Sequence, residues 1–315
     1  MITTPLCDLV GIQYPIFQGG MAHVSDAGLA AAVSEAGGLG IISAMSRDGA
    51  YVRDQICRAR ELTARPIGVN VMLMSPYVAE VADVIAQEKV EVVTTGAGDP
   101  SGYMERWLTA GCRVIPVVAS SGLARMMERQ GACAVIAEGG ESGGHIGEMA
   151  TMPLVPQVVD AVSIPVIAAG GIGDGRGLAA ALMLGAVGVQ MGTRFLTAQE
   201  CPVHPHYKEL VLKAGDISTI VTGRRLGHPV RSLKTPYSRR YAKAEYTDID
   251  EEALEAMGVG ALRKGAVDGD EKDGCYLAGQ IAGLVKKEQP AAEILREVCA
   301  EAEEILSGAQ RYIIK

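Results

Sequence analysis

Apolar residues recur in short, regularly spaced runs between residue 15 and about residue 193: PIFQ (15–18), LGIIS (39–43), IGVNVM (67–72), VEVVTT (90–95), RVIPVV (113–118), CAVIAE (133–138), PVIAAG (165–170) and GVQMGT (188–193). Most of these runs are nearly continuous in hydrophobic residues. Strands of that kind are buried on both faces, as in a parallel sheet covered by helices. Between them the period changes to that of a helix. Ser25-Asp26 can cap a helix with Leu29, Ala32 and Val33 inside and a stop at Gly37-Gly38. Pro76 suits the first turn of a helix carrying Val78, Val81, Ala82 and Ile85, and Asp174 precedes GRGLAAALMLG, which ends at Gly185. Eight such units predict an α/β protein with a closed TIM (β/α)8 barrel rather than an open sheet.

After the eighth run the pattern breaks. Residues 200–273 hold a basic stretch, Arg231 to Lys243, and the acidic segment YTDIDEEALEAMG, so an inserted cap subdomain is expected there. Helical periodicity resumes in CYLAGQIAGLVKK and AAEILREVCAEAEEILSGAQ. The expected division is therefore a barrel from residues 1–199 and 274–315, interrupted by a cap over 200–273.

Composition narrows the functional classes. The chain has 315 residues, 48% hydrophobic, with one Trp and two Phe, enough for a large aliphatic core. Its net charge of −8 argues against a nucleic-acid face, which needs clustered Lys and Arg. Seven widely spaced cysteines, with no C-x-x-C, indicate neither a disulfide framework nor a zinc site, and suit a reduced cytoplasm. No basic-then-apolar leader and no long apolar run is present, so a soluble protein is expected, with no membrane partner.

The 39 glycines exceed the usual share of about 7% and gather at the carboxyl ends of the strands, where a barrel keeps its active site. Gln18 to Met21, Asn70 to Met72, Glu138-Gly139, Gly170-Gly171 and Gln190 to Thr193 fall there. Backbone N–H groups in AAGGIGDG and MGTRF form a phosphate site or simply close tight turns; a Rossmann fingerprint does not fit, because Arg176 stands where a glycine is required. His145, within GGHIG, is either a surface histidine or a proton-handling group in the mouth. Glu138 either binds a sugar-type hydroxyl or neutralises a cation. His204 and His206 lack a second ligand pair and read as a loop rather than a metal site. His23 either faces the ligand or caps a helix, and His228 belongs to the cap.

YPIFQGGMA, AGGLGII, GVNVMLMSP, VVTTGAG, AEGGESGGHIG, PVIAAGGIGDG, QMGTRF and AGQIAGLV together resemble the flavin-dependent enoyl-acyl carrier protein reductase II family, FabK, a branch of the nitronate monooxygenase (2-nitropropane dioxygenase) superfamily. The resemblance spans residues 7 to 295, with Leu277 replacing a methionine of the last motif. It implies a noncovalent FMN. Gly20, Met21 and Asn70 would lie near its ring system, with Gln190 also in the site and Gln280 approaching from the closing helix. Glu138 would lie near the ribityl chain, and Gly170, Gly171, Gly192 and Thr193 at the phosphate. His145 matches the family's active-site histidine.

The implied reaction is NADH- or NADPH-dependent reduction of trans-2-enoyl-acyl carrier protein in fatty-acid biosynthesis. A homodimer and a monovalent cation near the flavin are further family expectations. Met21, Met72 and Met74 are candidates for an acyl tunnel, or are core filling. Arg231, Lys234, Arg239 and Arg240 are candidates for a surface that meets the acidic carrier protein or a cofactor phosphate. Alternatives are nitronate oxidation by the same histidine acting as a base, and a noncatalytic barrel that only binds a phosphate ligand.

Overall fold

All eight apolar runs are strands. In the computed structural model, which describes residues 2–312, they are β1 (Ile16–Gln18), β2 (Leu39–Ser43), β3 (Ile67–Met72), β4 (Val92–Gly96), β5 (Arg113–Val118) and β6 (Val135–Glu138), then, after a two-residue strand β7 (Gly144–His145) outside the barrel, β8 (Val166–Ala169) and β9 (Gly188–Met191). The barrel closes in the order β1-β2-β3-β4-β5-β6-β8-β9, every pair parallel, with β9 returning to β1 through Phe17 opposite Gln190. The chain is a TIM barrel. Its flanking helices start where the sequence signals them: Asp26 accepts the Leu29 N–H at 2.9 Å and Asp174 the Gly177 N–H at 3.2 Å. Pro76 differs, since the helix opens later, at Val78.

Two-sided burial explains the continuous apolar runs. Ile42, Val69, Val93, Val114 and Val189 face the helices, packed with Leu29, Val33, Ile56 and Ile85. Phe17, Leu39, Ile41, Val92, Ile115, Ile136 and Ile167 fill the barrel interior. The helix Pro5–Val10 adds Leu6, Cys7 and Val10 to that interior cluster, so the barrel is a packed core rather than a pore. Close approach explains Gly188: a Cβ there would lie 2.5 Å from Leu6 Cδ2.

The segment 200–273 holds the helix Pro205–Leu212, a hairpin of β10 (Thr219–Thr222) and β11 (Val230–Leu233), and the helices Pro236–Ala244 and Glu251–Gly258. Its parts pack differently. Cys201, Val203, Tyr207 and Val211 join the main core, whereas Tyr237, Tyr241, Leu254, Ala261 and Cys275 form a small cluster of their own. The hairpin extends into a three-stranded antiparallel sheet with β7, pairing Val230 with His145 and Arg231 with Gly144.

The return to the barrel corrects one sequence expectation. CYLAGQIAGLVKK is not a helix: it runs extended, with a bridge from Leu277 to Ser232, and makes only one 3-10 turn over Gln280–Leu284. Its backbone packs directly against the loop that carries His145. A Cβ on Gly143 would lie 2.7 Å from the Ala278 carbonyl carbon, and one on Gly279 would lie 2.7 Å from the Glu141 carbonyl oxygen. Only the last segment is a full helix, Ala291–Ser307, packed on the helix Gly175–Met183.

Candidate active site

A cavity of about 520 Å³ opens at the carboxyl ends of the strands. That volume lies within the usual range for a small-molecule site. Gly20, Met21, Asn70, Glu138, His145, Gly170, Gly171, Gln190, Gly192 and Thr193 all line it. The fold thus brings together ten of the eleven candidate residues. The exception is Gln280, whose side chain is exposed and outside the lining; its N–H donates to the Glu141 carbonyl at 2.9 Å, and Gly279 and Ile281 face the cavity instead. Gln280 opens the 3-10 turn rather than a long helix, and its side chain is left on the exposed side.

The β1 and β3 ends meet closely. A Cβ on Gly20 would lie 2.3 Å from Asn70 Cβ, and Asn70 Oδ1 is fixed by the Thr94 hydroxyl at 2.9 Å. Met21, Met45 and Met72 supply apolar surface, while Met74 is 57% exposed and lies outside the lining. The candidate acyl tunnel therefore has Met45 where the sequence reading placed Met74.

After β8, Gly170 and Gly171 adopt left-handed backbone, φ +88° and +68°. This turn presents backbone amides: the N–H groups of Gly171 and Ile172, and that of Gly192 after β9, find no acceptor among the described residues. The adjoining helix Gly175–Met183 offers no comparable opening, because Asp174 and Glu301 occupy its first N–H groups. The 3-10 turn Thr193–Thr197 begins at Gly192 with no side-chain cap. Neither Lys nor Arg lines the cavity, so a phosphate there would be held by main-chain donors.

Glu138 ends β6 with its carboxyl enclosed by protein except towards the cavity. Burial pushes its pKa up to about 7, and the nearby Ser142 hydroxyl offsets only part of that rise. Ser142 Oγ is buried and faces the Glu138 carboxyl, but reaches no group at full hydrogen-bonding geometry. The loop from Gly139 to Met149 is anchored at both ends. Glu141 accepts the Thr151 N–H at 2.9 and 3.0 Å, and Thr151 Oγ1 lies 2.9 Å from both Glu141 Oε2 and the Gly170 carbonyl.

Near the start of the loop, Arg231 donates to the Gly140 carbonyl at 2.8 and 3.2 Å and to Thr219 Oγ1 at 3.2 Å. Arg231 therefore clamps the histidine loop and is not free surface, which corrects its reading as part of a docking face. Arg240 pairs with Asp273, leaving Lys234 and Arg239 exposed.

His145 sits on β7, its backbone fixed by the hairpin and its ring open to the cavity. The surrounding protein lowers its pKa below the ordinary 6.5, and His228 lowers it further by charge repulsion. At neutral pH the imidazole is therefore mainly neutral. Such a ring can both donate an N–H hydrogen bond and accept a proton. His23, His204 and His206 lie elsewhere: His204 Nδ1 caps the helix Pro205–Leu212 by accepting the His206 N–H at 3.2 Å.

Residues 3–88 and 77–301 match the family model for nitronate monooxygenase. The chain belongs to the nitronate monooxygenase family. Its fold and sequence are also similar to FabK from Thermotoga maritima, with a TM-score of 0.97 and 48% identity, covering 99% of this chain and 100% of that one. A probable nitronate monooxygenase of Staphylococcus aureus is 30% identical over 96% of this chain and 98% of its own length. A Mycobacterium tuberculosis protein named (3aS,4S,5R,7aS)-5-hydroxy-7a-methyl-1-oxo-octahydro-1H-indene-4-carboxyl-CoA dehydrogenase is 33% identical over 96% of both chains. The chain is accordingly an oxidoreductase of the nitronate monooxygenase superfamily.

The sequence reading passed over Glu141, Ser142, Met45 and Tyr207 in the lining, and Thr151 behind it. Glu141 and Ser142 lay within AEGGESGGHIG and were legible as polar residues of the mouth loop. Tyr207, whose hydroxyl donates to the Leu277 carbonyl, reaches the site only through tertiary packing.

Proposed function

We propose that this member of the nitronate monooxygenase family is an FMN-dependent enoyl-acyl carrier protein reductase. NADH or NADPH and a proton reduce a trans-2-enoyl thioester to the saturated acyl thioester and release the oxidised dinucleotide. The observation that carries this reading is the match to Thermotoga FabK at 48% identity across 99% of the chain, against 30% for the staphylococcal probable nitronate monooxygenase.

The residues present fit a flavin mononucleotide. Unpaired amides at Gly171, Ile172 and Gly192 suit its phosphate, with Gly170 and Thr193 beside them. The buried Ser142 hydroxyl and the Glu138 carboxyl suit ribityl hydroxyls. Gly20, Met21, Asn70 and Gln190 provide the flat, close-packed wall for a ring system. When bound, FMN supplies the hydride acceptor and donor.

The chain's own residues orient substrate and manage charge. The neutral His145 imidazole donates its N–H to the thioester oxygen and stabilises the charge that develops there as hydride reaches the β-carbon. Met21, Met45 and Met72 offer the acyl chain an apolar, water-excluding surface.

Nitronate oxidation is the second reading, favoured by the family model and by an imidazole that is neutral and so able to take a proton. Anaerobic titration of the flavoprotein separates the two. NADH or NADPH bleaches the visible flavin absorbance and crotonyl-coenzyme A restores it if the enzyme is a reductase. Bleaching by an alkyl nitronate, with no response to either dinucleotide, refutes the reductase assignment. A colourless protein that cannot be reconstituted with FMN supports the noncatalytic barrel.

A further inference from the structure

A second cavity, of about 410 Å³, lies beside the first against the β1 and β2 ends, and Val24 lines both. Its polar lining includes His23, Asp26, Arg47, Tyr51 and His204. Among the described residues Arg47 is the one Lys or Arg in the lining of either cavity, whereas the main cavity is lined by two acidic side chains, Glu138 and Glu141. Its guanidinium stacks on Tyr51, 4.4 Å from the ring centroid, and donates through Nη2 to His23 Nδ1 at 3.4 Å. No ion pair to a carboxylate is found for it among the described residues; Asp26, in the same lining, caps the Leu29 N–H. A guanidinium held over an aromatic ring by cation–π attraction leaves its other N–H groups free to donate to an anion. Because His23 Nδ1 accepts from Arg47, the neutral ring carries its proton on Nε2 and is a second donor.

The loops that build this cavity are held in an unusual conformation. Four non-glycine residues have left-handed backbone among the described residues, and two of them, His23 (φ +58°) and Ser46 (φ +55°), belong to these loops. Such conformations persist only where surrounding structure enforces them, often at ligand clamps.

We propose that the second cavity binds the diphosphate of a nucleotide co-substrate, with Arg47 as its anion anchor, while the reactive end of the same molecule reaches past Val24 into the main cavity. The proposal rests on the reductase reading, in which NAD(P)H carries such a diphosphate, as does the coenzyme A of the surrogate substrate crotonyl-coenzyme A. The main cavity has no cationic side chain among the described residues for a further diphosphate, and Arg47 supplies one next door.

The test uses the flavin-loaded protein and ADP as the probe, followed by titration calorimetry. Arg47→Gln weakens ADP binding about tenfold, the loss expected for one charge-assisted phosphate contact. Arg47→Lys keeps the charge without the planar fork and retains part of the affinity. Arg58→Gln, an exposed change on the following helix Gly49–Leu62 that carries Tyr51, leaves it within twofold. Steady-state arms then identify the source. A rise of about tenfold in KM for NADH or NADPH alone assigns the pocket to the reductant. A rise for crotonyl-coenzyme A but not for phosphate-free crotonyl-N-acetylcysteamine assigns it to the thioester. ADP that fails to bind the wild-type protein, or binds well-folded Arg47→Gln within twofold of wild type, overturns the proposal. Should the protein reduce no enoyl thioester at all, the reductase reading fails, while the ADP titration still decides the cavity.

Discussion

Replacing Arg231 by Met separates a structural clamp from a docking surface. The substitution keeps the unbranched apolar stem and removes three N–H···O contacts, two to the Gly140 carbonyl at 2.8 and 3.2 Å and one to Thr219 Oγ1 at 3.2 Å. At about 1 kcal/mol net for each, the loss is about 2–3 kcal/mol, and it leaves Gly140 without its side-chain partner. The β7–β11 pairing and the Ile146 N–H to Pro229 bond at 3.0 Å remain, so the loop loosens without detaching. The expected result is a melting temperature lowered by about 3–5 °C for a chain of 315 residues. With it comes a matching fall in kcat/KM for crotonyl-coenzyme A and for the carrier-protein thioester, because both depend on where the loop holds His145. If Arg231 instead met an acidic carrier protein, the defect would appear only with that substrate and would shrink at high salt. A stability loss under about 0.5 kcal/mol with a salt-sensitive, carrier-specific defect would refute the clamp.

Three other substitutions probe the site. Burial raises the Glu138 pKa from 4.5 to about 7, so the folded protein holds a proton that the unfolded chain releases, and stability falls as pH rises through that window. In flavin-free protein, Glu138→Gln removes this slope and gains up to about 3 kcal/mol over wild type above pH 7; urea titrations at pH 5 and pH 8 that show equal differences would contradict it. Gly20→Ala places a Cβ 2.3 Å from Asn70 Cβ, so Asn70 must leave its bond to Thr94. The expected outcome is a protein that folds but binds FMN at least about tenfold more weakly, measured by quenching of flavin fluorescence. His145→Ala lowers turnover by about 10²-fold or more while flavin content stays near wild type. In the wild type, kcat/KM falls on the acid side with an apparent pKa below 6.5, as the lowered imidazole pKa requires; an acid limb that persists in the variant assigns it to another group.

The barrel was legible in the sequence because its determinants are local and redundant. A strand buried on both faces must be apolar almost throughout, and Ile41 and Ile42 show why: one fills the barrel, its neighbour meets the helices. Caps such as Asp26 and Asp174 depend on N–H groups three residues away, so they too are written in adjacent letters. The cluster of site residues followed from the barrel itself, which gathers every strand end at one face.

What the tertiary structure decided lies in contacts between distant segments. Arg231 reads as a surface charge until β11 is found beside Gly140, 91 residues earlier in the chain. LAGQIAGL has helical spacing, yet its backbone passes so close to the histidine loop that only glycine fits at Gly143 and Gly279, and only a 3-10 turn forms, with Gln280 exposed. Glu141 and Thr151 become the anchor of the histidine loop only when β8 brings the Gly170 carbonyl to them. Apolar pattern fixes which faces are buried, whereas the destination of a polar side chain depends on which acceptor the completed fold leaves within reach.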